Sequence, residues 1–278
     1  MHKYIIYSCF IISFIGLFFI LKGNFSVTTM KYFPLDDNVF FDNAETNINF
    51  LKSTDEIEWS VESTSSDVAY LRQDVSLLYE NGKFKGVLNK WRQNVDHLDL
   101  SKHFIQSNSS LLQAISFHHG EIHYPNDQIS SIQKMTSNQL YFIRDSNTIY
   151  SFHEPSNANE RKWERDLNKM THQQLDNHWT KLINQLDIAI KEYDSIPLTE
   201  LAQYENKPLP GRTEAETKKI IGQLWEGLYK NYILLLKEEK NRQDEHYMPL
   251  ILLAKNNDHL LVIFELNNKN QKLIQQIS

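Results

Sequence analysis

The chain is almost without cysteine: Cys9 is the only one in 278 residues. A disulfide framework is therefore excluded, and so is a zinc site built from thiolates. Cys9 also lies inside an apolar run, which removes a cysteine nucleophile from the polar part of the chain. Glycine is scarce, with eight scattered positions, and no Gly-rich loop that would cradle phosphate can be drawn. Neither the G-x-S-x-G elbow nor the H-E-x-x-H zinc motif occurs. A basic excess is missing as well. The formal net charge of −6 argues against nucleic acid, which rewards a basic face, and against a surface made to lie on anionic lipid.

The first feature that is present is an uncharged run from Tyr4 to Leu21, bounded by Lys3 and Lys22. About 20 apolar residues at about 1.5 Å each cross a hydrocarbon core. The run is expected to form a single transmembrane helix, an anchor spanning residues 1–22. Its anchor residues are Tyr4, Ile5, Ile6, Phe10, Ile11, Ile12, Phe14, Ile15, Leu17, Phe18, Phe19, Ile20 and Leu21. No small-residue cleavage pattern comes after it, so retention is expected rather than cleavage. Cys9 sits within the run rather than after it, which argues against a lipoprotein signal. The tail of three residues before it is too short for a domain. The folded part is then expected on the outer side of a bacterial cell membrane; the plentiful Asn, Lys and Ile suggest an AT-rich bacterial source.

Residues 23–58 are polar and acidic, with Asp36-Asp37 and Asp55-Glu56-Ile57-Glu58, and read as a solvated stalk. Residues 59–154 read as an antiparallel, hairpin-rich domain. Asn81-Gly82 is a two-residue turn signal. Counting outward pairs Tyr79 with Phe84, Leu77 with Gly86 and Val75 with Leu88. It leaves Arg72, Asp74 and Ser76 on the face away from the core, with Arg72 opposite Trp91. A second hairpin is expected over Leu111–Tyr124 with His119-Gly120 as its turn. Gln128–Met135 reads as a short helix, and a third hairpin joins Leu140–Arg144 to Thr148–His153.

Residues 155–278 change period. Leu175, Trp179, Leu182, Leu186, Ala189 and Tyr193 recur at three and four, which predicts a helix over Asn159–Tyr193. Thr213 to Glu216 is a capping-box signature for a second helix. Strands at Leu250–Ala254 and Leu260–Leu266 close the chain. The expected fold class is α+β: one transmembrane helix, an antiparallel hairpin-rich sheet, then a two-helix hairpin packed on a C-terminal β-hairpin. The two soluble parts either share one core or stand apart. The layout resembles single-pass accessory proteins of Gram-positive envelopes, a likeness of architecture that assigns no residue.

The densest cluster of chemically useful side chains is Ser116 to His123. With a turn at His119-Gly120, His118, Glu121 and His123 share one face as candidate ligands for a divalent metal; a displaced turn would align His119, Glu121 and His123 instead. The competing reading is a plain solvated face, and no other cofactor is implied. Two functions are weighed. One is a non-catalytic interaction, assembly or regulatory module in the envelope, held to the membrane by its N-terminal helix, with a protein partner. The other is an envelope hydrolase acting on cell-wall polymer or peptide through the His118–His123 cluster, which requires a cleft collecting His123, His153 and a buried carboxylate. Passive binding of a ligand between sheet and helices is a third possibility and needs a real cavity.

Overall fold

A computed structural model describes residues 30–146, 148–238 and 245–277. The protein is mostly β-sheet, with about half of it in strands and the first sheet curled into a half-barrel. This corrects the α+β expectation. Among the described residues no helix is long and apolar enough to cross a membrane, and the run Tyr4–Leu21 lies outside them. The single-pass anchor is therefore unsupported.

The first sheet contains β1 (Phe41–Leu51), β2 (Glu56–Glu80), β3 (Lys83–Phe104), β4 (Ser110–His123), β5 (Ile129–Asp145) and β6 (Thr148–Phe152). Its order is β1-β2-β4-β5-β6, with β3 paired to β2 off this path. The segment expected as a stalk thus supplies β1 and the start of β2. Residues just before β1 are also tied down: Ser131 N donates to Pro34 O and Asp36 N donates to Ser131 O, both at 2.8 Å. Burial opposes ionisation of Asp36, yet hydrogen bonds from Ser130, Asn38, Val39 and Tyr124 win and hold its carboxyl down to about 2.

Asn81 (φ 50°) and Gly82 (φ 79°) make the β2–β3 turn, as the dipeptide predicts. Tyr79 pairs with Phe84, but a bulge at Leu78/Tyr79 then shifts the register. Leu78 therefore faces Gly86, Val75 faces Asn89, and Arg72 faces Arg92 while Gln73 takes Trp91. A second irregularity lies between Thr64 and Ala69 of β2, opposite the stretch from Val95 to His97 and next to Asn94 at φ 53°. There the long ribbon folds over on itself. One sign of the fold is the ion pair between Lys90 Nζ and Asp99 Oδ1, 3.2 Å apart within β3.

The hairpin expected at His119-Gly120 does not exist. β4 is one continuous strand, and Gly120 pairs with Arg72 on one side and Ile132 on the other. A Cβ at Gly120 would lie 2.9 Å from Ile132 Cγ1 and 3.1 Å from Arg72 Cδ. The glycine is there for close packing, not for a turn. Gln128–Met135 is likewise the start of β5 rather than a helix. Both faces of these strands are covered, which erases the period of two that marks a half-exposed strand.

Helix α1 (Ala158–Gln185) starts at the cap of Asn157, which accepts from Glu160 N. It buries Leu167, Thr171, Leu175, Trp179 and Leu182, and stops short of the expected Tyr193. Tyr193 instead opens β7 (Tyr193–Pro197), which leads into a 3-10 segment over Leu198–Glu205. Helix α2 (Glu214–Leu228) has the full capping box on Thr213 and Glu216. It runs through a π-helical stretch, Tyr229–Ile233, into α3 (Leu234–Glu238). A second antiparallel sheet, in the order β10-β9-β8-β7, adds β8 (Leu250–Ala254), β9 (His259–Leu266) and β10 (Lys269–Gln276).

One large core joins the outer face of the half-barrel (Val75, Leu77, Tyr79, Ile115, Phe117) to the helices and to the second sheet. The parts on either side of residue 155 therefore share a core. A smaller apolar cluster fills the half-barrel around Trp59, Leu78, Leu112 and Phe142.

Candidate functional site

The continuous strand β4 decides the fate of the histidine cluster. Alternate residues of a strand point to opposite faces, so His118 is separated from Glu121 and His123. His118 faces into the half-barrel beside Asp74 and is fully buried. Glu121 and His123 lie on the other face, where their side chains approach to 3.4 Å and His123 stacks on Tyr70 at 3.9 Å between ring centroids. His118, Glu121 and His123 do not converge. Among the described residues no group of three His, Cys, Asp or Glu is placed to hold a metal ion.

His119 shares the face of Glu121 but is buried beside Phe117, which in turn stacks on Trp225 at 5.1 Å. Burial, reinforced by the Arg72 charge, lowers its pKa to about 4; the Lys31 main chain, Asp74 and Glu226 oppose this only in part. A neutral imidazole is what such a site tolerates.

Inside the half-barrel the strands assemble a largely buried polar network. Arg72, Asp74, Ser76, Ser116 and His118 are all essentially without exposure. Arg72 Nη2 donates to Ser63 Oγ at 2.5 Å, and Nη1 donates to Ser65 Oγ at 2.9 Å and to Asp96 O at 2.5 Å. Its guanidinium also lies 4.6 Å from the centre of the Phe41 ring. Ser63 Oγ donates to Asp74 Oδ2 at 2.5 Å, and Arg72 Nη2 stands 3.7 Å from Asp74 Oδ1. Burial lowers the Arg72 pKa, and the charges of Asp74 and Asp96 offset part of that.

The network continues through His118. Its Nδ1 is 3.1 Å from Asp74 Oδ2, and its Nε2 shares a 2.8 Å hydrogen bond with Thr136 Oγ1. Thr136 meets Thr46 at 2.5 Å; Thr46 donates to Ser116 at 2.6 Å, and Ser116 to Ser76 at 2.7 Å. Trp59 Nε1 donates to Ser76 Oγ at 3.2 Å. Asp74, His118 and Thr136 stand in line, but His118 Nδ1 makes no hydrogen bond to Asp74, so a carboxylate–imidazole–hydroxyl relay is joined only on its Thr136 side. Asp74 and His118 are buried and Thr136 is partly exposed; none of the three lines the concave regions that adjoin the first sheet. Sequence reasoning placed Arg72, Asp74 and Ser76 together on one face, but took that face for the one away from the core. The extra signal was Gly120, whose missing side chain makes room for Arg72.

Open concave regions adjoin the first sheet. A hollow of about 540 Å³ lies between the two arms of the folded β3, lined by Val87 to Lys90, Arg92 and Asp99 to Ser101. A second recess, of about 280 Å³, lies between α1, the outer face of β4 and β5, and the Leu198–Glu205 segment. It adjoins a shallower one of about 260 Å³ that includes His153 and Glu154. His153 Nδ1 hydrogen-bonds Gln139 O at 2.6 Å, and Gln139 pairs with Gln113. Gln113 is ten residues along β4 from His123, roughly 33 Å at the strand rise. His123 and His153 therefore do not share a cleft.

No family model matches the chain, and no curated protein matches it either. Among solved structures the chain is similar to Bacteroides uniformis beta-glucuronidase 2, covalently bound to cyclophellitol-6-carboxylate aziridine. The identity is 9%, over 70% of this chain and 28% of that one, with a TM-score of 0.24. The chain thus spans under a third of that protein's length, and a likeness so slight assigns neither fold nor activity.

Proposed function

We propose that the protein is a non-catalytic interaction module, and that its contact surface is the open side of the half-barrel along β3. The observation that supports this reading is the state of that strand. β3 runs for 22 residues and, among the described residues, pairs only with β2 apart from a bridge between Lys83 and Tyr247. It is the longest edge strand among the described residues, and most of its residues are exposed or half-exposed. An edge of this kind offers a row of free backbone donors and acceptors to an extended segment of another protein. The hollow between the arms of β3 offers room for that segment's side chains.

The experiment is site-specific photocrosslinking in cells from Trp91 or Arg92, with Lys272 on β10 as the control position. The reading expects one discrete protein partner from the β3 positions. A synthetic peptide covering the crosslinked segment should then compete with it. No adduct from β3, or equal adducts from Lys272, would remove the reading.

The order Asp74–His118–Thr136 favours one second reading, a hydrolase with Thr136 as nucleophile. Against it stand the engagement of Thr136 with Thr46, the full burial of Asp74 and His118, and the lack of a hydrogen bond at His118 Nδ1. A fluorophosphonate probe separates the two. Covalent labelling of Thr136 that disappears in His118→Ala would favour the hydrolase.

A further inference from the structure

The recess between α1 and the outer face of β4 and β5 has a consistent chemistry of its own. Glu164 and Glu200 line it from two different elements, and Glu154 lines the adjoining hollow. Among the described residues no lysine or arginine lines either, although the chain has 29 of them. The remaining walls are rich in amides and hydroxyls. Thr171 is among the lining residues and is only 3% exposed. Its Oγ1 is shielded from solvent and has no hydrogen-bond partner among the described residues. A buried hydroxyl without a partner is costly to leave so, which makes it a place where a ligand donor gains.

We infer that this recess binds a small hydroxylated primary amine in its protonated form, a ligand of the amino-sugar class. The ammonium meets the field of Glu164 and Glu200. The Thr171 hydroxyl accepts a hydrogen bond from the ligand, and Gln113 and Gln139 face its hydroxyls. An anionic ligand is disfavoured by the same carboxylates. A bare metal ion is disfavoured because no three ligating side chains converge there among the described residues. A volume of about 280 Å³ suits one sugar-sized body rather than a chain of them.

The test is a titration of the intact, isotope-labelled chain by NMR, with glucosamine, N-acetylglucosamine and glucuronate as the probes. Glucosamine is expected to give saturable shifts at Thr171, Gln113 and Gln139. N-acetylglucosamine should bind at least tenfold more weakly, and glucuronate should give no saturable shift. Glu164→Gln combined with Glu200→Gln, on the recess wall, should weaken glucosamine at least tenfold. Thr171→Val, which keeps the side-chain shape, should do the same while the rest of the spectrum stays in place. Absence of a saturable glucosamine shift, equal affinity for the neutral or anionic sugar, or unchanged affinity in the double variant would each overturn the inference. If Thr171→Val fails to fold, the double variant decides.

Discussion

Arg72 Nη2 and Ser63 Oγ meet at 2.5 Å although both belong to β2, nine residues apart. A straight strand would hold them about 30 Å apart. The guanidinium thus sits on the inside of the fold in the β2–β3 ribbon and ties its arms together through Ser63, Ser65 and Asp96 O. This buried cation links the two arms of the ribbon.

Arg72→Met is accordingly expected to destabilise the protein by about 3–5 kcal/mol, the usual cost of stranding one member of a buried ion pair. Urea unfolding measures it. Replacing the pair together, as Arg72→Met with Asp74→Leu, should cost less than the two single changes added. Strict additivity would mean that the two side chains are not coupled.

His119 gives the fold an acid sensitivity. Its folded pKa is about 4, against an ordinary 6.5, so between these values the unfolded chain binds the proton and the folded one does not. Stability from this group is then complete above about pH 6.5 and is lost progressively as the pH falls towards 4. The full loss is on the order of 3 kcal/mol. His119→Gln should flatten the stability–pH curve over that window. A variant curve parallel to that of the parent would contradict the assignment.

Gly120→Ala tests why the glycine is in mid-strand. The new methyl would press on Ile132 and on the Arg72 stem, and the expected cost is about 1–3 kcal/mol from overpacking. Gly120 is not at positive φ, so the change adds no backbone strain and a neutral result would reject the packing role.

The capping box of α2 is a local test. Thr213→Ala removes the hydroxyl that accepts from Glu216 N and should lower stability by about 1 kcal/mol. Thr213→Ser should recover most of that loss in thermal unfolding.

The parts of the fold legible in the sequence are those governed by local chemistry. Asn81-Gly82 announces its turn, Thr213 its cap, and the apolar strands Leu250–Ala254 and His259–Leu266 their pairing. The parts that were not legible depend on partners distant in sequence. Ile129, Ile132 and Met135 mimic a helical spacing because both faces of β5 are covered, so alternation is lost. His119-Gly120 looks like a turn until Arg72 is seen to fill the space above the glycine. Arg72, Asp74 and Ser76 read as facing away from the core until the ribbon folds and encloses them. The candidate metal set is split between faces for the same reason, since one continuous strand sends His118 to one face and His123 to the other.

The edge of β3 is the centre of the functional reading, and backbone hydrogen exchange measures it directly. In the isolated protein, β3 amides between Lys85 and Phe104 that face away from β2 should exchange quickly, while the amides of β4, paired on both sides, stay protected. Adding the crosslinked partner's segment as a synthetic peptide should slow exchange along β3 and leave β10 unchanged. Full protection of β3 in the isolated protein, or no change on adding the peptide, would contradict the account.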